Sequence, residues 1–464
     1  MADITLISLR FGRDRGRMPP LGALSLAGAL ERSGHNWELI DTQKDASISL
    51  FSVESLVKIL KKTRTEYLGI SVFNDALPVL IAALDRLGSD LKAKIVLGGP
   101  GVVGVAEALM KRLPSLHAIV VGEGEKAIRE ILASAPNVCH TAGIFSRDLE
   151  GRVIGHGQTL REDLNEIAPP AWSWCGKRAY EVVPLSTMRG CPFSCSFCEI
   201  TSFMGRRVTR ARIETALNSL ADGMRAIGSN DVAILDDTFT IDQRHLSGFC
   251  DGLRERGIRI SFSIFSRADT LSERQMSFLS EAGCNRVFFG LDSGSDDLLG
   301  RISKGIVIKE AIEVVKKAAE FFPVTASFMW GFPFETFDAF MKTIEVCEDL
   351  LAYETTWPIT PQLHLLSPSA GTDIYNCYGS TLLLDKNVPL LLVPDGMSGS
   401  SRGDNFEEVF AVIQSEPLIG APFYRYDTQD FCDKMQRVKL LEREIMAVAG
   451  QRIINKMHSF GVRL

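Results

Sequence analysis

The chain has 464 residues, 45% of them hydrophobic and 23% charged, with a net charge of −6 at pH 7. That length predicts about two to four domains, and the acidic balance offers no electrostatic footprint for nucleic acid. Ten cysteines spread over so long a chain do not make a secreted disulfide framework. No secretory signal and no apolar run of bilayer length is apparent, so the expectation is a cytoplasmic protein without a transmembrane segment.

In chain order, the apolar run Ile4–Leu9 predicts a strand, followed by a glycine- and arginine-rich loop to residue 17. After Pro19-Pro20, the run LGALSLAGALERSG carries a helical pattern that Gly34 closes. Further strands are expected at 37–40 and in EYLGISVF, KAKIVLGG and HAIVVGEG, with amphipathic helices at 78–87 and 105–113. Strands this apolar are covered on both faces, which predicts an α/β, doubly wound Rossmann-like (flavodoxin-like) domain over residues 1–135.

A connector at 136–182 holds a hairpin turning near Glu150-Gly151 and the stop Pro169-Pro170. From 183 to 375 six strand candidates follow: VVPLST, DVAILDD, ISFSIFS, RVFFGLD, VTASFMWGF and QLHLLS. All but the last precede a helical stretch, the order of a partial (β/α)6 barrel of the TIM type. The tail, 376–464, reads as a mainly helical substrate or lid region. It holds the stretch SGSSRGD, the aromatics Phe423, Tyr424 and Tyr426 as pocket lining or packing, and a terminal helix. In that helix Phe431, Met435, Val438, Leu441, Ile445 and Val448 recur at helical spacing, a pattern for docking on the barrel.

The chemistry concentrates in CPFSCSFC, where Cys191, Cys195 and Cys198 follow the strand VVPLST and a Met-Arg-Gly turn. Thiolates are soft ligands, and cysteines this close in sequence can converge on one metal centre. A structural zinc site closes with four protein ligands, yet the nearest upstream cysteine is Cys175 and none lies within forty residues downstream. Three ligands leave one iron of a four-iron cluster open. Cys139, Cys175, Cys250, Cys284, Cys347 and Cys377 read as buried thiols, a catalytic thiol at Cys377 or Cys432 is unsupported, and the seven histidines show no metal-ligand spacing.

This spacing at the end of a first barrel strand resembles the radical S-adenosylmethionine (SAM) superfamily. The resemblance implies a 4Fe–4S cluster whose open iron takes the amino and carboxylate groups of SAM, and reductive cleavage to a 5′-deoxyadenosyl radical. It places Phe197 against the adenine. In LDDTF, Asp236 and Asp237 stand where many members have Gly-Gly-Glu, which makes Asp237 an acceptor for the SAM amino group. Ser266 and Arg267 are implied for the SAM carboxylate, Asp292 and Ser293 for the ribose hydroxyls, and Gly331 and Pro333, with Glu335 in the same run WGFPFET, for the adenine. Read without the family, Asp237 and Asp292 serve equally as helix caps and Arg267 as a surface ion pair.

The first domain resembles the cobalamin-binding domain attached to many radical SAM enzymes, the class B radical SAM methylases among them. That likeness implies contacts from the strand ends: Leu9 and Arg10, Ser71 and Val72, Gly98, Gly99 and Pro100, then Gly122, Glu123, Gly124 and Glu125. The Asp-x-His-x-x-Gly motif of a lower cobalt ligand is absent from LRFGRDRGR. The two resemblances together imply a cobalamin-dependent methyltransferase acting on an unactivated carbon of a small molecule, fed by an external one-electron reductant. Two alternatives stay open: radical cyclisation, rearrangement or coupling without methyl transfer, and a non-catalytic sensor of cobalamin or a cluster. A methylthiotransferase would need three further cluster cysteines on the N-terminal side, where only Cys139 and Cys175 stand.

Overall fold

The computed structural model describes residues 2–11, 18–45, 47–134, 141–177, 180–385 and 405–459, with side chains of the last helix described to 449. Cys139, most of the arginine-rich loop and the SGSSRGD stretch lie outside these residues. The chain divides into two compact units, residues 1–233 with 367–425, and residues 234–366 with 426–464.

The first unit opens with alternating strands and helices: β1 (Ile4–Leu9), α1 (Leu21–Arg32), β2 (Trp37–Asp41), α2 (Val53–Lys62), β3 (Tyr67–Val72) and α3 (Leu77–Leu87). They continue through β4 (Lys94–Gly98), α4 (Ala106–Arg112), β5 (Leu116–Val120) and α5 (Glu125–Ser134). A hairpin of β6 (Ile144–Arg147) and β7 (Val153–Ile154) completes a seven-stranded sheet in the order β2-β1-β3-β4-β5-β6-β7. The first five strands run parallel and the hairpin antiparallel. The order 2-1-3-4-5 is that of a doubly wound sheet, whose ligands bind beyond the carboxyl ends of the strands. Both faces are sealed by apolar side chains: β1 is buried at every residue, and Leu68, Ile70, Leu97 and Ile119 share its core with α2 and α3.

The same unit continues through β8 (Val183–Leu185), β9 (Met188–Arg189), α6 (Glu199–Met204), β10 (Thr209–Arg210) and α7 (Ile213–Ile227), ending at β11 (Asp231–Ile234) as the chain passes into the second unit. Gly228 ends α7 in the left-handed conformation usual after a helix C-terminus.

The second unit alternates α8 (Gln243–Glu255), β12 (Ser261–Ser266), α9 (Glu273–Glu281), β13 (Cys284–Asp292), α10 (Asp296–Arg301), α11 (Ile308–Ala318), β14 (Val324–Trp330), α12 (Phe337–Ala352) and β15 (Ile359–Leu365). Helices α8 and α9 begin where side chains satisfy the free backbone donors: Asp242 accepts from Arg244 and His245 N, and Ser272 with Gln275 forms a capping box. β12 to β15 pair in sequence, all parallel, so β8 and β11–β15 follow the chain order of a partial (β/α)6 barrel.

The tail docks. Helix α13 (Asp373–Tyr378) and helix α14 (Phe406–Ser415) belong to the first unit, where Val409, Phe410 and Ile413 enter the core beside α3. Phe423 and Tyr424 join that core and Tyr426 is fully buried in the second unit, so these aromatics pack rather than line an open pocket. Helix α15 (Phe431–Ser459) packs on α12 and β15, with Phe431 stacked on Trp330. Cys377, expected to be buried, is exposed: α13 turns only Ile374 inward. No helix among the described residues is long and apolar enough to cross a membrane.

Candidate cluster and cofactor site

The cluster loop starts from β9, which pairs antiparallel with β10. Gly190 turns the chain at φ 91°, where a Cβ would meet the Arg207 carbonyl oxygen at 2.5 Å, so only glycine serves. Cys191, Cys195 and Cys198 then fall in one irregular, half-buried stretch closed by Cys198 N donating to Cys195 O at 3.1 Å. Burial, followed by the neighbouring thiols of Cys195 and Cys191, pushes the Cys198 thiol up to about 11. A buried thiol whose ionisation is opposed in this way suits a ligand that shares its charge with iron. Among the described residues no three His, Cys, Asp or Glu side chains close on a single metal ion, and three corners of a cubane cluster need no such convergence. The donor set fits a 4Fe–4S cluster.

The loop is clamped on two sides within its unit. On one side, Arg189 Nη2 contacts Glu125 Oε1 at 2.7 Å and Nη1 lies 3.5 Å from Glu123 Oε1. Arg161 adds Nη1 to Glu123 at 3.3 Å, and its Nη2 donates to Arg189 O at 2.6 Å and Thr209 Oγ1 at 2.9 Å. Burial alone would raise the Glu125 carboxyl and lower the Arg189 charge. Their mutual attraction wins: Glu125 sits below its ordinary value and Arg189 above. On the other side, Asn74 Nδ2 donates to Glu199 Oε1 at 2.8 Å, Ser369 Oγ donates to the same oxygen, and Ile374 N donates to Ser196 O at 2.9 Å. Arg161, Arg189, Asn74 and Ser369 carried no signal in the sequence, since isolated polar residues have no period or spacing.

The strand-end face of the first sheet holds the other group of expected contacts. Leu9 and Val72 are fully buried in the core, leaving only their backbone to a ligand. Gly99 takes φ 93°, with a Cβ position 2.8 Å from Val72 O and 2.9 Å from Ser71 Oγ, so β4 turns hard against the end of β3. Gly98 and Pro100 flank that turn. Gly122 and Gly124 pack against Thr159 and Leu26. Glu123 and Glu125, expected as acceptors for a ligand, also face the guanidinium groups of Arg161 and Arg189. Arg10 lies over the half-exposed Phe73 ring at 5.5 Å, its pKa lowered by burial against the pull of Asp41. A flat aromatic, a desolvated cation and glycine-lined strand ends on one edge fit a large planar, amide-rich cofactor.

In the second unit the expected SAM contacts collect at the ends of β12, β13 and β14. Ser266 is buried and bonded to Thr240 Oγ1 at 2.8 Å. Arg267 is buried too, with its fork on Asp269 at 2.9 Å twice and on Lys304 O at 2.7 Å. Those bonds engage the donors expected to face a SAM carboxylate. Asp237 is half-buried beside the buried Asp236. β13 bulges between Gly290 and Asp292, and Asp292 takes φ 67°. A left-handed residue with a Cβ is strained by about 1–2 kcal/mol, and bulges commonly re-aim a side chain beside a site. Asp292 Oδ2 lies 2.5 Å from Lys304 Nζ. Ser293 is fully buried and its hydroxyl takes the Ser295 N at 3.1 Å. Gly331 N donates to Glu335 Oε2 at 2.8 Å, fixing the turn that also carries the half-buried Pro333.

Comparison with known proteins agrees with both halves. The radical SAM superfamily model matches residues 185–347 and the B12 binding domain model residues 8–132. An uncharacterized methyltransferase of Pyrococcus horikoshii is 29% identical over 382 residues, covering 80% of this chain and 80% of that protein. The solved cobalamin-dependent SAM radical enzyme OxsB, with aqua-cobalamin and SAM bound, superposes at a TM-score of 0.70 and 18% identity over 96% of this chain, which spans 66% of that longer one. The radical SAM methyltransferase TsrM from Kitasatospora setae, with cobalamin and a 4Fe–4S cluster, gives 0.69 and 16% identity over 95% of this chain and 91% of that one. The chain thus carries a radical SAM superfamily domain and, N-terminal to it, a B12-binding domain.

Proposed function

We propose that the protein is a cobalamin-dependent radical SAM methyltransferase that methylates an unactivated carbon of a small molecule. The observation that carries this reading is that the three-cysteine loop and the B12-binding fold lie in one compact unit, joined through Asn74–Glu199 and Arg189–Glu125. When bound, the cluster, SAM and cobalamin supply the one-electron chemistry and the transferable methyl group.

The chain's own residues bind, orient and enclose. Cys191, Cys195 and Cys198 hold the cluster. Glu123, Glu125, Arg161 and Arg189 keep that loop in place, Asp292 and Ser293 receive the ribose of SAM, and the edge of Arg10, Phe73 and Gly99 receives cobalamin. The Pyrococcus relative, named a methyltransferase, supports the reaction class. The setting is a reducing cytoplasm with an external reductant, and no nucleic acid takes part.

Reconstituted protein incubated anaerobically with methyl-labelled SAM, a reductant and cobalamin tests the reading. Label should enter a product, and Cys195→Ala should lose cluster absorbance and cleavage of SAM. A product without label would replace methylation by cyclisation or rearrangement; cleavage persisting in Cys195→Ala would remove the cluster assignment.

A further inference from the structure

Only three non-glycine residues among those described take a positive φ: Asp292 at 67°, Ser303 at 56° and Asp430 at 53°. One of them, Asp292, belongs to a buried ion pair, while Ser303 is the usual left-handed cap after α10. Asp292 closes β13, and Ser303 precedes Lys304, whose Nζ reaches Asp292 Oδ2 at 2.5 Å. Both partners are 6% exposed. Strain held at a buried charged contact points to function more than to packing.

Lys304 does more than neutralise Asp292. Its N donates to Leu299 O at 3.0 Å, which sets it just beyond α10, and its carbonyl takes Arg267 Nη2 at 2.7 Å. One residue therefore joins the end of β12 to the end of β13, through its backbone on one side and its ammonium on the other. The ammonium approaches Asp292 Oδ2 without hydrogen-bond alignment, so that buried oxygen makes no hydrogen bond with any described residue. Buried acceptors are normally hydrogen-bonded. With Oδ2 turned to the ammonium and the side chain still 9% exposed, Asp292 has its other oxygen, Oδ1, to offer to hydroxyl donors from outside the protein.

We infer that Lys304 is a positioning residue for SAM: it holds Asp292, in its left-handed conformation, aimed at a vicinal diol. This rests on the reading of Asp292 as the ribose acceptor and adds the residue that makes it one. Arg267, expected at the SAM carboxylate, also donates to the Lys304 carbonyl and so braces the same loop.

The test measures binding of S-adenosylhomocysteine, and of its 2′-deoxy analogue, to cluster-loaded protein by equilibrium dialysis. Wild type should prefer the 2′-hydroxyl form at least tenfold. Lys304→Met and Asp292→Asn should each weaken S-adenosylhomocysteine tenfold or more and lose that preference, and the double variant should be no weaker than either single one, because the residues act as a unit. Lys304→Gln, which keeps a donor, guards against a misfolded methionine variant and should retain part of the preference. A Lys304→Met protein that binds and discriminates like wild type, while Asp292→Asn does not, overturns the positioning role. An Asp292→Asn protein that discriminates like wild type overturns the ribose reading itself. Weakened binding with the preference intact in every Lys304 variant assigns Lys304 to fold stability and also overturns the proposal.

Discussion

Lys434 Nζ lies 3.1 Å from Glu335 Oε2, and neither side chain reaches solvent. The same ammonium donates to Glu335 O at 2.8 Å and Thr428 Oγ1 at 3.1 Å, while Glu335 Oε2 accepts from Gly331 N. A single lysine on α15 thus fixes the Gly331 turn, where a SAM-binding strand end is expected. Burial raises the Glu335 carboxyl, and the Lys434 charge opposes that rise.

Removing one member of such a pair leaves the other buried and alone. Lys434→Met is expected to destabilise the protein by about 3–5 kcal/mol in denaturant melts. The loss should shrink on acidification, because Glu335, with its folded pKa raised, takes up a proton more readily than the unfolded chain and so favours the folded state at low pH. The double variant Lys434→Met, Glu335→Gln should recover most of the loss. A single variant as stable as wild type at neutral pH would show that the pair does not hold α15.

The Arg189–Glu125 contact has the opposite sign. Glu125 is lowered in the fold, so its contribution is present above the ordinary carboxylate range and lost as pH falls through about 4 and below. Glu125→Gln should flatten the acid limb of the stability curve and reduce iron retained per chain at neutral pH. Unchanged iron content, with the acid limb intact, would separate this clamp from the cluster loop.

Asp75 follows β3 on the strand-end face, and burial, followed by the charge of Glu199, raises it to about 6. Its folded pKa lies above the unfolded one, so its favourable contribution is full below pH 4 and lost as pH rises through 6. Asp75→Asn should therefore stabilise the protein above pH 7, by up to about 3 kcal/mol from the size of the shift, and have little effect near pH 4. Melting temperatures across that range decide it: a gain no larger at pH 8 than at pH 4 would contradict the raised value.

Much of this was readable in order along the chain. The parallel strands announced themselves because a strand covered on both faces is mostly apolar, as β1 is at four of its six buried residues. The hairpin at Glu150-Gly151 and the long terminal helix followed from turn chemistry and helical period. The three cysteines, proposed to hold the cluster, were legible because residues contained in one loop form a spacing, and spacing survives in one dimension. Glu123 and Glu125 were placed at a strand end by their local sequence; the arginines that engage them enter from residues 161 and 189, and no local pattern records such a pairing. Lys434 escaped for a related reason, as one charge within an apolar stripe.

By itself, then, the sequence determined the two α/β folds and their order, and it set apart the three-cysteine run proposed to hold the cluster, because burial and close cysteine spacing write periodic or local patterns. Only the tertiary structure decided what the charged residues do. Buried charges must find partners wherever the chain brings them, and so Arg267 braces Lys304, Lys304 meets Asp292 and Lys434 meets Glu335 across stretches of sequence that share no pattern.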